Sequence, residues 1–136
     1  MAAIARRITR PVSTFAAYCF STDAVGDLVF IMGAKVGSRY QVTKIDVDDA
    51  SKIPAVGILI SKSSPTECEV QTGGVLKGVY SGLTPGKALF AGTDARPSHT
   101  YTRPTTGKRW VQMIATALSA ADIVIEIQRP VGVLPA

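Results

Sequence analysis

Polar and apolar residues alternate with period two along much of this chain, and turn-forming clusters cut the alternating runs about every 8–12 residues. Thr66-Glu67-Cys68-Glu69-Val70-Gln71 is the plainest run, and its spacing predicts a strand with one wet face. Asp122–Gln128 places Ile123, Ile125 and Ile127 on one side. Pro54–Ser61 is apolar on both faces, which predicts a central strand between two layers or against a partner. Weaker runs are Phe15–Phe20, Leu28–Met32, Tyr40–Ile45, Val75–Tyr80, Ala88–Ala91 and Trp110–Leu118. The cadence predicts an all-β fold, a small β-barrel or β-sandwich, over alternating β and α units.

The punctuators refine this. Pro85-Gly86 fits the two central positions of a type II turn, where proline presets φ and glycine accepts the positive one. Gly73-Gly74 and Gly78 read as hairpin geometry. They do not open a helix in a phosphate-cradling pattern. Asp46–Lys52 and Ser119–Asp122 are the segments suited to short helical turns.

At 136 residues the chain has room for one core. With 46% hydrophobic residues and no run of about 18 apolar ones, it suits neither a disordered segment nor a membrane-spanning helix. A mean hydropathy of +0.23 at this size leaves apolar side chains for a subunit partner to cover. Met1–Arg10 lacks a long apolar stretch followed by a small-residue cleavage site, so synthesis without export is expected.

Charge divides the chain further. Arg6, Arg7 and Arg10 give +3 to residues 1–13, and the remaining 12 basic and 10 acidic residues give +2 to residues 14–136. Residues 1–22 are read as an extended basic arm, 23–128 as the β domain and 129–136 as an apolar C-terminal tail that docks on its own domain or a neighbour. The arm is either a floppy tail or a strap along an acidic protein surface. Its aromatic residues Phe15, Tyr18 and Phe20 are read as anchors buried against a neighbour. Removing residues 1–20 is therefore expected to leave a folded domain. Arg96–Gly107, with His99, Tyr101 and Arg103, is read as an exposed loop able to contact a partner.

No catalytic constellation stands out. His99 is the single histidine, and a His-dependent nucleophile would need it next to a Ser or Cys in space, which a lone loop residue does not suggest. Asp46, Asp48 and Asp49 lack the glycine and distal acid of a calcium loop, so a solvated turn or helix start is expected. Glu67 and Glu69 share one wet strand face. Cys19 and Cys68 lack companions at metal-ligand spacing and are read as reduced, partly buried thiols, or as a disulfide within or between chains. Lysines spaced singly over many elements argue against a specific nucleic-acid partner. No metal or cofactor is expected.

Gly78–Asp94, with its Gly82-Leu83-Thr84-Pro85-Gly86 and Gly92-Thr93-Asp94, followed by Val111–Ile125 with Ala117-Leu118-Ser119, resembles the C-terminal half of small virion proteins of tailed bacteriophages. Ala24–Val29 and Ala55–Lys62 resemble their upstream half, so the likeness covers roughly residues 24–128. It is similar to capsid decoration (cement) proteins in particular. That resemblance implies a β-tulip-like domain on the outer face of the assembled head, often a homotrimer, whose N-terminal arm staples neighbouring copies of the major capsid protein. It implies a structural protein without catalysis or cofactor, made in the host cytoplasm and located on the virion surface, where it supports particle stability. The basic, aromatic loop 96–107 departs from the pattern. A tail, neck or fibre protein, a non-viral binding module and a small hydrolase are the alternatives. Fibres commonly carry repeats or heptads that this sequence lacks, and a hydrolase would lose activity on mutation of His99 or Asp48.

Overall fold

The computed structural model describes residues 12–135. They form eleven strands and one 3-10 turn: β1 Ser13–Tyr18, β2 Leu28–Ile31, β3 Tyr40–Lys44, the turn Ala50–Lys52, β4 Gly57–Ser64, β5 Glu67–Leu76, β6 Ala88–Ala91, β7 Pro97–Ser98, β8 Arg109–Val111, β9 Met113–Ala117, β10 Ile123–Ile125 and β11 Val131–Val133. The all-β expectation is met.

Five strands close on themselves. The order β1-β3-β2-β4-β5 returns to β1 through an antiparallel β1–β5 seam, while β1 and β3 run parallel. Closure removes the exposed edges that an open sheet would present. The small barrel is filled by Ala17, Cys19, Val29, Val42, Leu59, Cys68 and Val70, with Phe15 and Tyr40 packed against them. These side chains come from alternate positions, so their neighbours point outward. Leu28, Phe30 and Ile58 leave the barrel on β2 and β4 and enter a second, larger core with Leu89, Ile114, Ile123 and Ile125. Full burial of one such side chain contributes roughly 1.5–3 kcal/mol. The doubly apolar run 54–61 is thus a strand between two layers of one chain.

The second layer is an extension of β5. Its first part pairs with β4 up to Gln71 and with β1 up to Gly73, and Gly74–Leu76 pairs with β10, which continues the sheet to β9, β6 and β7. Gly73 and Gly74 sit at this change of partners, not in a hairpin as their sequence predicts. Gly74 has φ +83, and the buried Gln71 side chain donates to the carbonyls of Gly73 and Val75 at 2.9 and 3.1 Å, holding the kink. A strand that must twist from one sheet into another needs such a break.

Four further boundaries differ from the sequence expectation. The basic arm does not run to residue 22, because Ser13–Tyr18 is a barrel strand and Ala17 is completely buried. Trp110–Leu118 divides at Gln112 into β8 and β9, because the chain changes sheets there. Residues 119–122 form a tight turn in place of a helical one, with Ser119 Oγ accepting from the N–H groups of Ala121 and Asp122. Val75–Tyr80 stays extended only to Leu76. The C-terminal tail docks on its own domain, where β11 pairs with β8. Pro85-Gly86 does form the expected turn, with Gly86 at φ +81 and Lys87 N–H donating to Thr84 O at 3.2 Å.

Candidate functional site

Two surfaces of the molecule gather side chains that its packing does not consume. The first is the barrel end at which β1 begins. Parallel pairing sets Ala17 beside Tyr40, so the residues before Ala17 and the β2–β3 loop before Tyr40 lie at the same end. Phe15 meets Tyr40 edge-on with ring centroids 5.2 Å apart, and Lys35 Nζ stands 4.4 Å from the Tyr40 ring centre. Arg39 lies 5.5 Å from the Tyr18 ring centre. Cations over aromatic faces gain from the ring quadrupole while keeping their charge toward solvent. Around them Val12 and Val36 are 59% and 51% exposed.

Of the anchors expected from sequence, Phe15 belongs to this end, while Tyr18 is the last residue of β1 and is reached by Arg39 from it; both are half-buried within their own chain. Phe20 lies at the opposite end of β1 and is exposed. There Asp23 accepts from Phe20 N–H, Thr43 Oγ1 and Lys44 N–H, and Lys62 Nζ donates to the carbonyl of Asp23 at 2.7 Å. Arg6, Arg7 and Arg10 lie outside the described residues.

The second surface is a cleft of about 250 Å³ between the β6–β7 turn, the loop after β7 and β8. The turn is compact: Gly92 N–H donates to Arg96 O, and Ala95 takes φ +63, the left-handed position that follows a type I turn in three-residue hairpins. A Cβ on Gly92 would stand 2.6 Å from Arg96 O and 2.8 Å from Asp94 Oδ1, so glycine is required for the Asp94 carboxylate to fold back. The opposite wall is fixed by Arg109. Its guanidinium donates to both Asp48 oxygens at 2.7 and 3.1 Å, and to the carbonyl and hydroxyl of Thr102 at 3.0 Å each. Bonding to Asp48 raises the Arg109 pKa further. Tyr101 packs edge-on against Phe90 at 5.1 Å and is 52% exposed. Trp110 lines the cleft, with Lys108 Nζ 5.2 Å from its ring centre.

The loop residues singled out from sequence separate here. Tyr101 lines the cleft. Arg103 reaches the Leu134 carbonyl at 3.4 Å, tying the loop to the C-terminus. His99 accepts Thr84 N–H at Nε2, 2.8 Å, which leaves Nδ1 to donate to Ala88 O at 2.9 Å. Nε2 thus braces the type II turn and Nδ1 the first residue of β6. Asp48 serves Arg109, and Asp49 caps the 3-10 turn by accepting from the Ser51 hydroxyl and N–H, which lowers its pKa. Sequence reasoning does not single out Asp94, Arg109 or Trp110. The one available signal is that Trp110 is the chain's only tryptophan, beside a polar, proline-flanked loop.

Elsewhere, burial pushes the Tyr80 phenol well above its usual range, and its hydroxyl donates to Gly26 O at 2.7 Å. Among the described residues every buried side-chain nitrogen or oxygen has a hydrogen-bond partner. No helix among them is long and apolar enough to cross a membrane. No protein-family model, curated protein or solved structure matches the chain.

Proposed function

We propose that this chain is a decoration (cement) protein of a tailed-phage head, which binds the outer face of the assembled shell as a homotrimer and bridges neighbouring major capsid proteins. The reading rests on the sequence resemblance and on one structural observation, the cationic, aromatic and partly apolar barrel end. Lys35 and Arg39 stand there over tyrosines beside exposed Val12 and Val36. In the sequence, Arg6, Arg7 and Arg10 precede β1, which begins at that end. Such a surface complements an acidic one, and desolvated aromatic groups flanked by cations are strong anchors. A protein that binds the expanded shell more tightly than the unexpanded one stabilises the expanded state by mass action, with no bond made or broken.

The test uses shells of the virus whose genome encodes the chain, incubated with purified full-length protein and sedimented. Decoration of expanded shells is expected, with a raised temperature of shell disruption. Binding should weaken in Lys35→Glu and Arg39→Glu and fall with added salt. Folded protein that leaves shells bare, or electron microscopy that places it in the tail, neck or a fibre, would overturn the reading.

A further inference from the structure

We propose that the cleft between the β6–β7 turn and β8 is a saccharide site that takes one pyranose ring. This does not depend on the capsid reading, since the cleft and the barrel end are formed by different strands. A sugar ring presents apolar C–H faces and a rim of hydroxyls. It is held where aromatic side chains meet fixed carboxylate, hydroxyl and backbone groups. The cleft combines these features: Tyr101 and Trp110 supply aromatic surface, and Thr93, Thr100 and Asp94 line it with polar groups. Its volume of about 250 Å³ suits a single ring.

The polar groups are held in place before any ligand arrives. Asp94 Oδ1 accepts Arg96 N–H at 3.0 Å, which orients the carboxylate and leaves Oδ2 for a pair of sugar hydroxyls. Arg109, with its contacts to Asp48 and Thr102, is a positioning residue that holds the loop wall beside Trp110. The strained left-handed conformation of Ala95 lies directly after Asp94. A non-glycine residue in that region costs about 1–3 kcal/mol and persists where the surroundings over-determine it, which is common at ligand sites. Tyr101 stays half-exposed although an apolar neighbour, Phe90, is within reach. A ring stacked on it would cover the remaining surface.

A single tryptophan inside the cleft makes the test direct. Full-length protein is titrated with glucose, galactose, mannose, N-acetylglucosamine and rhamnose, and with short oligosaccharides of each, while Trp110 emission and amide chemical shifts are followed. At least one sugar is expected to change the emission saturably, in the millimolar range for one ring and more tightly for an oligomer. Amide shifts should concentrate at residues 92–94, 100–102 and 109–110. Tyr101→Ala and Asp94→Asn should each weaken binding at least tenfold while circular dichroism and a cooperative unfolding transition show the fold retained. No saturable response to any sugar would overturn the proposal. So would a response unaffected by both substitutions, or one given only by an unrelated peptide or protein ligand.

Discussion

Ala17 lies opposite Cys68 across the antiparallel seam that closes the barrel, and its side chain is completely buried. The seam makes the N-terminal strand a structural stave, which changes what a truncation does.

Deleting residues 1–11 keeps all eleven strands in the chain, because β1 begins at Ser13, and the shortened protein is expected to fold. Deleting residues 1–20, which sequence alone treats as dispensable, removes β1. It uncovers the β3 and β5 edges and strips Phe15, Ala17 and Cys19 from the barrel core. Each lost apolar side chain removes up to roughly 1.5–3 kcal/mol from a typical total of about 5–15 kcal/mol. The shorter protein is expected to be unfolded or aggregated by circular dichroism and size exclusion, and a native-like spectrum would contradict the closed barrel.

Gly57 and Gly37 separate two reasons for a glycine. A Cβ on Gly57 would lie 2.5 Å from Gln71 O and 2.6 Å from Val70 Cγ1, at the β4–β5 seam. Gly57→Ala must therefore push the paired β4 and β5 strands apart, and a loss of about 3 kcal/mol or a failure to fold is expected. Gly37 has φ +61 and open space around it. Gly37→Ala should cost only the left-handed backbone penalty, about 1–2 kcal/mol. Urea midpoints of the two variants give the comparison, and equal effects would mean that the crowding at Gly57 is absent.

Gln112 joins three segments from a completely buried position. Its Oε1 accepts Ala55 N–H at 2.9 Å, and its Nε2 donates to Ala55 O at 3.0 Å and Gln128 O at 2.9 Å. Gln112→Leu keeps the volume and strands those peptide groups without partners. Unsatisfied buried groups cost about 1–3 kcal/mol each, so a loss of roughly 3 kcal/mol is expected in denaturant titration. A change under about 1 kcal/mol would show that water replaces the amide at low cost.

The strands are legible in the sequence where burial is one-sided or complete along a run. Glu67-Cys68-Glu69-Val70 and the isoleucines at 123 and 125 announce their faces because alternation is a local property. What escapes is non-local. Nothing near Phe15 in sequence says that it will pair with Val70, so β1 reads as an arm. Gly73-Gly74 has the composition of a hairpin, and only the sheet beyond it shows that the strand continues. Gln112 reads as one polar position in an alternating run, while its partners stand 57 and 16 residues away. Loop 96–107 is legible as a contact candidate. Asp94 and Trp110, which flank it in sequence, are not, because the cleft exists only once β6 and β8 are brought together.

Cys68 gives the barrel core a pH dependence with a defined sign. Both cysteines are buried free thiols, and Cys68 is pushed up from 9.0 to about 12, first by burial and then by the neighbouring Cys19. The folded state thus holds a proton that the unfolded chain releases near 9. The stability contributed by the neutral thiol is complete below that value and is lost as pH rises from about 9 toward 12, at up to about 1.4 kcal/mol per pH unit. Urea unfolding at a series of pH values from neutral to strongly alkaline should therefore show a falling midpoint that is shallower in Cys68→Ala, whatever that variant loses at neutral pH by creating a cavity. Alkylation with iodoacetamide supplies the kinetic counterpart. The native thiols should react far more slowly than the urea-unfolded ones, because burial withholds the thiolate. A native Cys68 that is alkylated as fast as the unfolded chain, or a wild-type midpoint that falls no faster than the Cys68→Ala midpoint, would mean that the barrel core admits water at the β1–β5 seam.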